Sequence, residues 1–267
     1  MLSAFIIVFR EVLEMAMVLG LLFAATKGVV GTRRRINLGA ALGLLGAALV
    51  AYFMEALEDS IDGAGEFVFN AAVLAMASLM IAWTVIWMSK HGREMSVKMK
   101  QVGTSVVEGD APMMTLMVVA FAAVMREGSE AVFFLFGAMQ AGVDMASMLM
   151  GGLFGLAAAG ALGLLLYQGL VRIPLKYVFK VMGVLLMLLA AGMASQAANN
   201  LVLVEMLPPI IDTLWDTSAW LSQDSLLGNI LHVLVGYDEQ PSGMQMMVFV
   251  LSLTLMAWLF YRTEQGK

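Results

Sequence analysis

The sequence predicts an all-α integral membrane protein: seven transmembrane helices built from two inverted three-helix repeats plus a seventh helix. Three observations carry that expectation. Only 13% of the 267 residues are charged and 61% are hydrophobic, with a mean hydropathy of +0.88, whereas soluble domains are roughly 25% charged. Apolar stretches of about 20 residues, each long enough to cross a hydrocarbon core of roughly 30 Å as helix, recur along the whole length with short polar interruptions. A charged motif inside the first stretch, Arg10-Glu-Val-Leu-Glu14, returns inside the fourth as Arg126-Glu-Gly-Ser-Glu130.

Taken in order, the stretches place spans at about 3–26, 37–57, 66–89, 112–137, 148–169, 178–204 and 243–261 within one transmembrane domain, 1–267. The first opens on Met1-Leu-Ser-Ala-Phe without a basic segment and meets Arg10 and Glu11 early, so it is expected to stay rather than be cleaved as a signal peptide. The second and fifth carry glycines four apart, Gly39 and Gly43, then Gly151 and Gly155, which allow close helix packing. The third and sixth open alike, on Phe67-Val-Phe69 and Tyr177-Val-Phe179. Repeat one thus covers about 3–89 and repeat two about 112–204. Because each unit has three spans, the second copy enters from the opposite side, as in many secondary transporters. Between the sixth and seventh spans, an outer segment of about 205–242 carries Trp215, Trp220, Leu227, Ile230, Leu231 and Leu234; it is expected to lie along the interface and to cover the pore or receive a partner.

Loop charge sets the orientation. Apart from Arg10 and Arg126, every Lys and Arg falls within Lys27–Arg35, Lys90–Lys100, Arg172–Lys180 or Arg262–Lys267, all on one side. The opposite loops hold none, but carry Glu55, Glu58, Asp59, Asp62, Glu66, Asp144, Glu205, Asp212, Asp216, Asp224, Asp238 and Glu239. The positive-inside tendency then puts the N-terminus outside and the C-terminus in the cytoplasm. The acidic outer face attracts cations, although solubility accounts for some of its charge. Nothing points to a nucleic-acid partner; the partners expected of the chain itself are membrane lipid and a cation.

A charged side chain at a helix centre costs roughly 2.5–3.5 kcal/mol even on lenient insertion scales, so six of them in two spans require a function. Residues three apart share a helix face, so Glu11 with Glu14, and Glu127 with Glu130, each turn two carboxylates to one side. At about 1.5 Å per residue, Glu11 lies roughly 12 Å below the outer boundary and Glu127 roughly 20 Å above the inner one. Antiparallel motif helices crossing near a pseudo-two-fold axis would bring four carboxylates to one point. Four Glu and two Arg leave a charge of about minus two, suited to a hard cation that prefers oxygen ligands; ferric or ferrous iron fits. Two other readings stand beside it, ion pairs that merely tie helices together and a proton relay without metal.

An enzyme is not expected. Glu-x-x-Glu resembles the Glu-x-x-His pairs of di-iron carboxylate bundles, but His91 and His232 are the only histidines and neither follows a Glu by three. No phosphate-binding Gly-x-x-x-x-Gly-Lys-Ser/Thr occurs. With no cysteine, any metal must be held by oxygen, imidazole or thioether. The 25 methionines, including Met139, Met145, Met148 and Met150 by an outer loop, read best as flexible apolar filler.

At these residues the chain resembles a bacterial member of the oxidase-dependent, high-affinity iron permease family. The likeness covers nearly the whole chain. It rests on Arg10, Glu11, Glu14 and Arg126, Glu127, Glu130, on Glu66 and Trp87-Met88 at the two ends of the third span, and on Leu214–Ser218, Asp224–Gly228, Gly236-Tyr237 and Pro241–Gly243. Val12 and Ser129 depart from the common motif filler, and Phe69 stands where the family's third span carries a second Glu. The resemblance implies uptake across the cytoplasmic (inner) membrane. Periplasmic or extracellular iron-binding and ferroxidase proteins would oxidise ferrous to ferric ion and supply it to the permease, and iron, ferric or ferrous, would be substrate rather than a permanently bound cofactor. Cations would collect near Glu55, Glu58 and Glu66, bind between the motif helices at Glu11, Glu14, Glu127 and Glu130, and leave inward as the repeats rock. Other readings stay open: a carrier of another divalent cation such as manganese or lead, or a non-transporting iron-binding scaffold for an outer oxidase.

Overall fold

The computed structural model describes residues 1–58, 60–61, 64–167, 175–223 and 225–265, except for the side chains of 64, 88–93, 95–96, 167, 175–176, 226, 229, 233–234 and 264–265. Of the residues singled out above, Asp59, Asp62, Arg172, Asp224 and Lys267, and the side chains of Met88, His91 and Leu234, lie outside the described residues. Among the described residues the chain is all helix and turn, with eight α-helices: α1 (Leu2–Ala25), α2 (Thr32–Glu58), α3 (Ala64–Glu108), α4 (Met114–Gln140), α5 (Met145–Tyr167), α6 (Leu175–Leu203), α7 (Leu226–Val235) and α8 (Gly243–Gln265). Five of them, α2, α3, α5, α6 and α8, are long and apolar enough to cross a membrane. The other two long helices, α1 and α4, are the motif helices, each interrupted by one Arg and two Glu.

Small residues decide which helices touch. A Cβ on Gly43 of α2 would stand 2.8 Å from the Val124 Cβ and 2.9 Å from the Phe121 carbonyl oxygen of α4, and one on Gly39 would collide with the Met117 carbonyl. On α5 a Cβ at Gly155 would meet the Phe5 oxygen of α1 at 2.8 Å, and one at Gly151 would collide with the Met1 carbonyl. Met1 and Phe5 occupy in α1 the places that Met117 and Phe121 occupy in α4, counted from the two motif arginines. Each motif helix therefore packs most extensively on the second helix of the other half, α1 on α5 and α4 on α2. In both pairs residue numbers rise together, so the paired helices run parallel. The α3–α6 pair runs antiparallel, tied where the Ser78 hydroxyl donates to the Ala190 carbonyl at 2.7 Å and where Val85 meets Gly183.

The main core lies among α1, α3, α4 and α6, where Ile7, Leu74, Ile81, Phe134 and Leu186 are fully buried. A smaller cluster of Leu22, Ile36, Val106, Leu116 and Ala120 closes the opposite end. It explains a difference from the sequence reading, in which the basic stretch Lys90–Lys100 follows the third span as a loop. Instead α3 runs on through it to Glu108. Its last turns bring Val102 and Val106 back onto Leu22 and Leu116, and this burial rewards continuing a helix that no proline interrupts.

The segment 205–242 is compact. Thr217 N donates to the Glu239 oxygen (3.0 Å) and Leu214 N to the Pro241 oxygen (2.9 Å), while Gly243 N and Met244 N return to Ile211 and Pro209 (2.8 and 3.0 Å). Helix α7 is capped by Ser225, whose hydroxyl accepts from Gly228 N at 3.0 Å, and ends on Gly236 in the left-handed conformation. Gly236 also abuts Gly192 of α6, so it is the residue that docks this segment on the helices. Trp220 is 94% exposed, and Trp215 and Leu227 are also exposed.

Candidate metal centre

The helical pitch turns Glu11 and Glu14 to one face of α1, and packing between α1 and α4 encloses that face. Glu11 and Glu14 are 0% and 5% exposed, Arg10 3% and Glu127 5%. One guanidinium serves the first motif: Arg10 Nη1 donates to Glu11 Oε1 at 3.1 Å, and Nε lies 2.9 Å from Glu14 Oε1. In the second motif Arg126 Nε donates to Glu130 Oε1 at 3.0 Å and lies 3.7 Å from Glu127 Oε1. The two arginines differ in setting. The Arg10 side chain is 4% exposed and that of Arg126 37%, with its guanidinium 5.1 Å from the centre of the Trp87 ring on α3.

Glu11, Glu14 and Glu127 each present a carboxylate oxygen, and these oxygens lie within 4.8 Å of one another. Glu11 Oε2 and Glu127 Oε2 are buried without a hydrogen-bond donor. Leaving an anionic oxygen unpaired in an apolar interior is costly, and a cation held at about 2.0–2.6 Å from each ligand removes that cost. Glu130 is not in this set, so three motif carboxylates rather than the expected four come together. Its Oε2 accepts instead from the buried Thr84 hydroxyl of α3 at 3.1 Å. Neither Thr84 nor Trp87 stands out as a site residue in the sequence: a threonine in a helix is ordinary, and a tryptophan near a span end reads as an interfacial anchor.

Glu55, Glu58 and Glu66, the expected entry carboxylates, lie outside this three-oxygen set. Glu55 near the end of α2 and Glu66 in the first turn of α3 are exposed. Glu58 accepts a hydrogen bond from Gln140 Nε2 at 2.6 Å, which joins the ends of α2 and α4. His232 Nδ1 lies 2.6 Å from the Tyr237 oxygen and is engaged within the outer segment. Met145 and Met150 point outward, about half exposed, while Met148 packs on the main core.

Comparison with known proteins gives this arrangement a context. The chain is 32% identical over 259 residues to the ferrous iron permease EfeU of Escherichia coli (strain UTI89 / UPEC), covering 93% of this chain and 91% of that protein. The EfeU of Shigella sonnei (strain Ss046) matches to the same extent. That of Shigella flexneri is 34% identical over 186 residues, 69% of this chain and 79% of the relative. No solved structure matches the chain. The iron permease FTR1 family model matches residues 1–262, and with two Arg-Glu-x-x-Glu motifs on helices packed against each other in a helical membrane protein, the chain belongs to that family.

Proposed function

We propose that the chain carries iron inward across the cytoplasmic membrane, binding it between α1 and α4 on Glu11, Glu14 and Glu127, with Glu130 as a further carboxylate of the same centre. The observation that carries this reading is the set of three carboxylate oxygens, from the buried Glu11, Glu14 and Glu127, that lie within 4.8 Å of one another; Glu11 and Glu127 each also have an oxygen without a donor. Four glutamates and two arginines sum to a formal charge of about minus two, which a divalent ion neutralises and a trivalent ion exceeds. That balance favours ferrous iron as the bound form, the form named for the EfeU relatives.

All seven long helices cross the bilayer in this proposal, as two inverted repeats of three plus α8. The reciprocal packing of α1 on α5 and α4 on α2 supports the repeat, and the helix directions agree with alternate crossing. Ions gather at the exposed Glu55 and Glu66, delivered by periplasmic or extracellular iron-binding proteins; a ferroxidase partner would instead deliver the ferric form. Between these carboxylates and the centre lie Ile7 on α1, Leu74 on α3 and Phe134 on α4, all fully buried. The outer side is therefore closed, and access requires the halves to move apart there.

The test is uptake of radioactive iron into proteoliposomes of the purified protein, offered as ferrous and as ferric ion, with Glu11→Gln and Glu127→Gln beside it. Ferrous uptake that falls at least tenfold in both variants is expected, with manganese competing weakly. Wild-type liposomes that bind iron but accumulate none would instead favour a scaffold for an outer oxidase.

A further inference from the structure

The two motifs share a sequence pattern but are held differently, and the difference comes from α3. Thr84, 4% exposed, lies on α3 outside both motifs. Its hydroxyl donates to Glu130 Oε2 at 3.1 Å, while Arg126 holds the other oxygen at 3.0 Å. One turn further along α3, the Trp87 ring supports Arg126 from 5.1 Å. In the first motif Glu11 Oε2 instead lacks a hydrogen-bond donor, and the one guanidinium of Arg10 is shared between Glu11 Oε1 and Glu14 Oε1. Glu130 thus has both oxygens engaged, and it is the motif carboxylate missing from the three-oxygen set.

We propose that Thr84 is a positioning residue that latches Glu130 out of the ion's coordination shell. This rests on the carboxylate centre proposed above and assigns a division of labour within it. Glu11, Glu14 and Glu127 form the resident ligand set. Glu130 joins as a fourth ligand only when α3 and α4 shift and the Thr84 hydroxyl lets go. Adding an anionic oxygen tightens binding and withdrawing it loosens binding, so the latch controls how readily the ion leaves. A hydroxyl is suited to this. It donates to the carboxylate without adding charge, and the bond it makes is modest enough to break during each transport cycle.

The test uses the full-length protein in detergent, titrated anaerobically with ferrous ion, and the same variants in proteoliposomes. Thr84→Val keeps the shape and removes the donor. It is expected to bind ferrous ion about tenfold or more tighter than wild type, the scale of a lost hydrogen bond to a charged group, with a lower KM and a lower kcat for uptake. Thr84→Ser, which keeps the donor, is expected to restore most of the wild-type affinity. Adding Glu130→Gln to Thr84→Val should abolish the gain. Should the valine variant not fold, Thr84→Ala carries the same expectation. Equal or weaker binding in a folded donor-less variant overturns the latch, as does a gain that survives Glu130→Gln. A wild-type protein that binds no ferrous ion overturns the centre itself, a result distinct from wild type and variant binding alike.

Discussion

Arg10 shows how much one side chain is asked to do. Its guanidinium spans Glu11 and Glu14 at 3.1 and 2.9 Å inside a site with 4% exposure, and a planar fork suits two carboxylates at once where an ammonium does not. Arg10→Lys is therefore expected to cut ferrous uptake at least tenfold. Arg126→Lys should cost less, because that side chain is 37% exposed and its guanidinium also rests on Trp87. Initial uptake rates in proteoliposomes check the ranking. Arg10→Ala should destabilise the fold by about 3–5 kcal/mol, since it strands buried carboxylates, a loss readable as a lower Tm in detergent. The motif residues are legible in the sequence for the reason that makes them costly: ionised groups in an apolar span need partners. Thr84 is not legible, because its part depends on which helix packs beside α4, and no local pattern states that.

Among helices, the glycines separate packing from mere sequence habit. Gly43 and Gly155 face backbone or Cβ atoms within 3 Å of where a Cβ would stand, whereas Gly160 on the same helix as Gly155 has nothing within 4 Å. Gly43→Ala and Gly155→Ala are expected to lower stability by about 1–3 kcal/mol through forced separation of the helices. Gly160→Ala should be neutral or slightly stabilising, as expected for alanine replacing glycine in an unobstructed helix. Thermal unfolding in one detergent compares all three. The helical, membrane-embedded character is readable from composition and apolar length. The extent of α3 is not, because a dense run of Lys and Arg resembles a loop until Val106 is seen against Leu22 and Leu116. The outer acidic residues likewise read as free cation attractors. Yet the Asp216 carboxylate accepts from Ser218 N and Oγ at 2.9 and 2.6 Å, bonds that hold its carboxyl below the usual carboxylate range. Glu239 accepts from Gln223 N at 2.9 Å.

For the whole molecule, the charge asymmetry makes a direct forecast. The natural chain has no cysteine, so single replacements report sidedness without background. Glu66→Cys, in the exposed first turn of α3, should react with an impermeant maleimide on intact spheroplasts. Arg34→Cys, exposed at the start of α2, should react only after permeabilisation. Labelling of both from outside would overturn the proposed orientation.

The crosswise pairing of α1 with α5 and α4 with α2 bears on how the chain is made. Synthesis delivers α1, with its arginine and two glutamates, long before α5 exists to pack against its start. Helix α1 must wait without that partner while α2, α3 and α4 are made. When α5 arrives it wedges Gly151 and Gly155 against the start of α1. The α1–α5 contact is thus a late event of biogenesis, and a chain released after α4 would carry both motifs yet lack the helix that packs on the start of α1.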